Sequence, residues 1–473
     1  MMTAHLTSTH GVTGAQAGIW YGQELIGTSS TYVVAQAWEC LAPVELSALA
    51  SSVAGAIGEA PGLSASFGMV GGEVVQSVGR HEVDTVAVLD FSGHDDPRAA
   101  AWDWMRRRSR EPVDPATDPC FEAVVLRLAA GTGGQSPAIV FVRAHHIVTD
   151  FFGLGLLGRR AAELYAATTS DTEPRPAWFG PVEDVLDHEN HYRDSGDREG
   201  DRTFWAGEVL AADAVASLVR HAGRERTSSV LSHTRTIGGT AADHLTELGR
   251  EQGGSWSDAV TGLVAAFIAG RTGTDEVVLG YPMMNRLGSP AISVPTMVVN
   301  VVPLRLTVSA WSSVTDVTEA AVHGVRRVRP HARFRGEDIA RLGGHGRPRI
   351  WLNVKAVDDR LRLGDVDTEV HSLARGPVEE MTITIRRTLC GEIEFQFDGD
   401  ESVLDATGLA VLGADIVAYV EEAAQPAARG WRWPGWAAPA PRRRPDRPVP
   451  CPVRRLWSTN SAGRLPGSPV ASR

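Results

Sequence analysis

The chain has 473 residues, 43% hydrophobic, 22% charged and 7% aromatic, a balance that supports a large folded core and excludes collagen-like, disulfide-scaffold and wholly disordered chains. At roughly 100 to 200 residues per domain, this length gives two to four domains or one large two-lobed one. With 46 basic against 57 acidic side chains the formal charge is −11, which repels nucleic acid and argues against a nucleic-acid partner.

From the N-terminus, Met1 to His10 lacks a basic segment followed by an apolar one, so no export signal is expected. Thr13-Gly14-Ala15-Gln16 fits a capping box, in which the Thr13 hydroxyl and Gln16 amide satisfy free groups at a helix start, and predicts a helix to about Leu25. Cys120–Leu128 and Ala138–His145 are β-branched and apolar around the glycine-rich turn Gly131 to Gly134, and predict two neighbouring strands forming a hairpin. A helix over Gly153–Ala167 follows, and the Pro, Thr and Asp-rich stretch 168–181 marks a boundary between lobes.

The second half predicts helices at 201–210, 256–271 and 404–423, and strands at 276–280, 297–306, 350–357, 382–389 and 391–397. Its longest apolar stretch, 259–269, is too short for the roughly 20 residues that a bilayer requires, so a buried helix and no membrane partner are expected. From Pro426 onward, four tryptophans and ten arginines against Asp446 alone show no apolar periodicity and predict an unstructured tail, a composition that GC-rich DNA also encodes out of frame. The expected organisation is an N-terminal lobe over 11–176, a C-terminal lobe over 177–424 and an Arg/Pro-rich disordered tail over 425–473. Cys40, Cys120, Cys390 and Cys451 are scattered without C-x-x-C spacing, so reduced, cytoplasmic thiols are expected rather than a zinc site or disulfide framework. Lys355 is the only lysine, an arginine bias that reflects coding more than binding.

The stretch Arg143-Ala-His145-His146-Ile-Val-Thr-Asp150-Phe151-Phe-Gly153 carries the most chemistry, lying where a strand gives way to a helix. Side chains alternate along a strand, so His145 and His146 point opposite ways and only one serves a given pocket. Histidine is the natural general base near neutral pH, and Asp150 is placed to brace the turn or pair with an arginine. The bland alternative is a satisfied core histidine with a helix-capping aspartate. Gly153-x-Gly155-x-x-Gly158 also matches the dinucleotide fingerprint, but no second strand ending in an acidic residue follows. Asp187-His-Glu-Asn-His191 has the composition of a metal cluster on what reads as a solvated helix face, and Arg286 alone reads as a surface charge. No G-x-S-x-G, P-loop or H-E-x-x-H is present.

With these residues in view, the chain resembles the condensation domains of nonribosomal peptide synthetases over about Gly11 to Ala424. The likeness rests on Thr13–Trp20, His145-His-Ile-Val-Thr-Asp150 in place of H-H-x-x-x-D-G, Asp201–Trp205, Gly280–Arg286, Met297–Arg305 and Phe395–Asp398, in the family's order. The resemblance implies an α+β, chloramphenicol-acetyltransferase-like fold of two lobes in a V around a central tunnel. It also implies amide formation, less often ester formation, in nonribosomal peptide or siderophore assembly, an acyl or peptidyl group passing from one carrier's thioester to an amine on another. No cofactor would be bound directly, since partner carrier proteins present the substrates on phosphopantetheine. His146 would be the catalytic residue, either taking the amine proton or positioning the amine and stabilising the tetrahedral intermediate. Asp150 would pair with Arg286 as a bridge between the lobes, and His145 would support the loop.

The chain departs from the family at Phe151, where the motif has glycine. Glycine permits close approach or a backbone conformation closed to other residues, and a phenyl ring would clash or narrow the tunnel, in which case Phe151→Gly raises turnover. Beside the enzyme stand two further readings: a decayed condensation-like module that recruits carrier or tailoring proteins without catalysis, and a stand-alone acyltransferase with a small-molecule acceptor.

Overall fold

The computed structural model describes residues 8–79, 85–131, 134–210, 217–219, 230–309, 312–343, 347–355, 361–388 and 390–428. From Arg429 onward the expected tail lies outside the described residues. The capping box forms as the sequence predicts: Thr13 caps the helix Gly14–Ile26, its hydroxyl accepting from Gln16 N–H while the Gln16 side chain accepts from Thr13 N–H.

Two six-stranded sheets organise the chain. The first runs, edge to edge, Leu361–Leu363, Val366–Arg375, Val33–Cys40, Ala138–His145, Phe121–Arg127 and Ala87–Asp90. The predicted hairpin is present, Phe121–Arg127 pairing antiparallel with Ala138–His145 so that Val125 faces Val140. Ala138–His145 is buried at every position because helices cover both faces, which is why its sequence is a continuous apolar run instead of an alternating one. The helices Leu46–Gly58 and Phe151–Thr169 pack one face through Leu49, Val53, Leu154 and Leu157 against Val140 and Val142. Pro97–Arg108 packs the other, through Ala101 and Met105 against Ile139 and Phe141.

The second sheet runs Val230–Ile237, Ile393–Asp400, Met381–Arg387, Ile350–Lys355, Glu276–Met283 and Asn300–Thr307. Here the alternation is legible: Ile383, Ile385, Phe395 and Phe397 pack into the core with Leu263, Phe267 and Ile416 of the helices Trp256–Thr272 and Ala406–Ala423, while Thr382, Thr384 and Asp398 turn to the opposite face and line a cavity. The architecture is α+β with two lobes. Residues 361–375, inside the expected second lobe by chain order, hydrogen-bond into the first sheet instead, Val370 pairing with Trp38. The thiols of Cys40 and Cys120 are free and buried, while Cys390 is disulfide-bonded, a pairing that the wide cysteine spacing does not announce. No described helix is long and apolar enough to cross a membrane.

Candidate active site

The central strand of the first sheet ends at His145, and the loop 146–150 leads into the helix Phe151–Thr169. The two histidines diverge as strand geometry requires. His145 is fully buried; its Nδ1 accepts from Ile147 N–H at 3.2 Å, so the proton resides on Nε2, which donates to Gln23 Oε1 at 3.1 Å. Burial, reinforced by the neighbouring His146 and Arg143, holds its pKa down at about 3.

His146 turns toward a cavity of about 1450 Å³. Its backbone N–H donates to the Tyr32 carbonyl at 2.7 Å, fixing the residue against the neighbouring strand. Its Nδ1 lies 2.8 Å from the Thr149 carbonyl oxygen, and because a carbonyl only accepts, Nδ1 is assigned the proton and Nε2 the lone pair. Burial lowers the pKa of His146, opposed by the Thr149 carbonyl and the Asp150 carboxylate. Gly376, at φ +89°, comes against this imidazole: a Cβ there would stand 2.9 Å from His146 Cδ2 and 3.5 Å from Nε2. Both the backbone conformation and the space therefore call for glycine.

Asp150 caps the helix that follows, its Oδ1 accepting from Gly153 N–H at 2.8 Å. Arg286, read alone as a surface charge, is instead fully buried and has Nη2 2.8 Å from each Asp150 oxygen. The same guanidinium donates to the carbonyls of Ala291, Val294 and Thr296 and covers the Phe152 ring with its carbon 4.8 Å from the centroid. It thus pins the loop after the strand Glu276–Met283 to the start of the histidine-bearing helix.

Phe151 occupies the first helical position, and the only described non-glycine residues with positive φ are Asp171 and Asn285. No glycine-only backbone is demanded at residue 151. Its ring lines the cavity and lies 4.1 Å from Lys355 Nζ, which also donates to Ser372 Oγ at 2.9 Å. Lys355 therefore joins a strand of the second sheet to Phe151 and to the first sheet.

Of the remaining motifs, the opening one bonds to this loop directly, and the others brace neighbouring segments. Thr13 Oγ1 donates to the Met297 carbonyl at 3.0 Å, and Gln16 Nε2 to the Ile147 carbonyl at 3.1 Å, so the opening motif reaches both the second lobe and the histidine loop. Asn300 Nδ2 donates to the carbonyls of Ala332 and Phe334, and its Oδ1 accepts from Gly336 N–H. In Asp201–Trp205, Asp201 accepts from Tyr192 OH at 2.6 Å and contacts His331 Nδ1 at 2.7 Å, while Trp205 Nε1 donates to the His331 carbonyl. The polar run 187–191 lies on the helix Val182–Arg193, where Glu189 accepts from Gly14 N–H at 2.7 Å. Gly153, Gly155 and Gly158 lie within the helix Phe151–Thr169, so no dinucleotide-binding turn forms. Gly376, Tyr32 and Gln23 carry no motif in the sequence, their parts here being a backbone conformation, a backbone carbonyl and a buried amide; Lys355 carries one signal, its uniqueness as the only lysine.

The condensation domain family profile matches residues 8–349. The chain is 31% identical over 383 residues to a dimodular nonribosomal peptide synthase of Bacillus subtilis, covering 80% of this chain and 16% of the relative. It is 30% identical over 436 residues to an isonitrile lipopeptide synthase of Streptomyces coeruleorubidus, covering 89% and 29%. The chain thus spans less than a third of these relatives' lengths. Among solved structures, the first condensation domain of the calcium-dependent antibiotic synthetase, in complex with a substrate analogue, superimposes with TM-score 0.82 at 26% identity, covering 92% of this chain and 100% of that one. These matches, with the histidine loop and the two-sheet fold around it, show that the chain belongs to the condensation domain family of nonribosomal peptide synthetases, whose members are amide-bond-forming acyltransferases.

Proposed function

We propose that this chain transfers an acyl or peptidyl group from the phosphopantetheine thioester of a donor carrier to the amine of a residue held on an acceptor carrier. The observation that carries this reading is the orientation of His146: Nδ1 is committed to Thr149, which leaves the Nε2 lone pair in a cavity of about 1450 Å³. That volume exceeds the roughly 300–1,000 Å³ of ordinary small-ligand pockets and suits two pantetheine arms meeting at one point. Burial lowers the His146 pKa, so the free base persists at neutral pH.

The amine nitrogen attacks the thioester carbon and forms the C–N bond, Nε2 of His146 receiving the amine proton. The C–S bond then breaks, and the departing thiolate takes a proton back, so that thioester and amine become amide and thiol. Base assistance of this kind contributes about 10² to 10⁴ in rate, and alignment of the two arms contributes beside it. His145, Asp150 and Arg286 position the loop without touching the reacting atoms, and Phe151 shapes the cavity wall beside them. The Phe151 ring, which motivates a non-catalytic reading, takes an ordinary helical conformation and leaves His146 turned to the cavity.

The partners are carrier domains, since the matched relatives are synthetases far longer than this chain; the reading places the protein among such modules. The test is to mix acyl-loaded donor and aminoacyl-loaded acceptor carriers with the protein and follow both by intact-protein mass. Movement of the acyl mass to the acceptor is expected; unchanged masses while both carriers bind would replace the enzyme with a recruiting module.

A further inference from the structure

The second sheet carries an aromatic surface that the transfer chemistry above does not use. Trp351 stands on the strand Ile350–Lys355, in register with Gly280 of the parallel strand Glu276–Met283. A Cβ built on Gly280 would press closest on Trp351 Cδ1, with Nε1 and Cγ, the two atoms bonded to it, at only 2.7 and 2.8 Å. Both flanking atoms stand only slightly farther than Cδ1 itself, which puts that position over the face of the five-membered ring, since an approach from the edge would leave them much more distant. The indole therefore lies flat on the Gly280 backbone, and a side chain at residue 280 would displace it. Its Nε1 donates to the Pro348 carbonyl at 3.0 Å, which uses the one polar group of the indole and fixes the ring in its plane.

With one face pressed on the strand, the half-buried ring turns the other to the cavity. Pro303, the partner of Gly280 on the next strand, borders it on one side, and Thr382, the partner of Trp351, on the other. Asn353 follows on the same face of the strand. A fixed aromatic face suits a planar group, which stacks on it in an offset arrangement. An alkyl chain here would cover Asn353 and Thr382 without bonding to them, at a cost. Of the two substrates in the proposed reaction, the acceptor is an amino-acid thioester, so its side chain branches from the carbon that bears the reacting amine. With that amine at His146 on the first-sheet side, the side chain is left to the other walls.

Resting on the acyl-transfer reading above, we propose that Trp351 is a specificity-determining residue for the acceptor, its open indole face stacking on a planar aromatic side chain of the acceptor residue. Gly280 lets the ring lie flat.

The probes are phenylalanyl and cyclohexylalanyl pantetheine analogues, amide-linked so that they do not react, titrated calorimetrically into the full chain. The two side chains have nearly the same size, and only the first is planar. Phenylalanyl is expected to bind about three- to tenfold more tightly. Trp351→Leu should remove the difference and Trp351→Phe should keep most of it, both with Tm near that of the unaltered protein; Gly280→Ala, which tilts the indole, should shrink it. The same probes with the amine acetylated, as on a donor, should show no preference. Equal affinities in the unaltered protein, or a preference that survives Trp351→Leu in a folded variant, overturns the platform, and an equal preference for the acetylated probes overturns its assignment to the acceptor. The carrier-transfer assay tests the underlying reading separately: an aromatic preference in a protein that transfers nothing keeps the platform and defeats the acyl transfer, and transfer without that preference does the reverse.

Discussion

Arg286 Nη2 lies 2.8 Å from both carboxylate oxygens of Asp150, and the two side chains are 0% and 1% exposed. The pair spans 136 positions of sequence and ties the loop after one strand of the second sheet to the cap of the histidine-bearing helix. Removing one member leaves a buried charge without its partner, which costs about 3–5 kcal/mol. Arg286→Met and Asp150→Asn should each lower stability by that order in urea denaturation, and the double variant should lose less than the sum. Additive losses would show that the two residues act independently.

Phe151 and Lys355 form a second contact between the lobes, with the ammonium 4.1 Å from the ring centroid. A partly desolvated cation–π contact contributes about 0.5–2 kcal/mol. In a double-mutant cycle of Phe151→Leu and Lys355→Met, the coupling energy should fall within that range; zero coupling would reduce Phe151 to an inert ring on the cavity wall.

The rate should depend on pH through His146. Only the neutral imidazole can accept the amine proton, and burial holds its pKa below the ordinary value of 6.5. Transfer should therefore stay level as pH falls from 8 to about 6.5 and drop only below it. An acid limb centred above 6.5 would contradict the assigned environment.

His145 predicts a pH dependence of stability rather than of rate. Its folded pKa of about 3 lies below the ordinary 6.5, so between those values the unfolded chain binds one more proton than the folded one. The contribution is fully present above about pH 6.5 and is lost at about 1.4 kcal/mol per unit as pH falls toward 3. His145→Asn, which does not titrate, should make the profile shallower by about one proton across about pH 4 to 5.5. An unchanged slope would place the proton uptake elsewhere.

How far the sequence could be read depended on whether a feature was local. The Thr13–Gln16 capping box, the strand ending at His145 and the alternating Thr382-Ile383-Thr384-Ile385 are short-range patterns, and each predicted element is present. The returning strand Val366–Arg375 was not legible, because its place beside Val33–Cys40 is set by pairing across more than 300 residues. Arg286 alone reads as a surface charge; only family resemblance linked it to Asp150. Gly376 carried no signal, since its importance comes from a neighbour, His146, that is remote in sequence. Phe151 reads from the sequence as a ring that clashes or narrows the tunnel; the structure places it at a helix start without the positive φ that would call for glycine, with its ring on the cavity wall and Lys355 beside it.

The central claim is that His146 Nε2 handles the amine proton, and a single-turnover measurement with loaded donor and acceptor carriers tests it most directly. His146→Ala should slow appearance of the acylated acceptor by about 10² to 10⁴ while leaving thermal stability and carrier binding near those of the unaltered protein. A variant that folds, binds both carriers and transfers at the original rate would contradict the account.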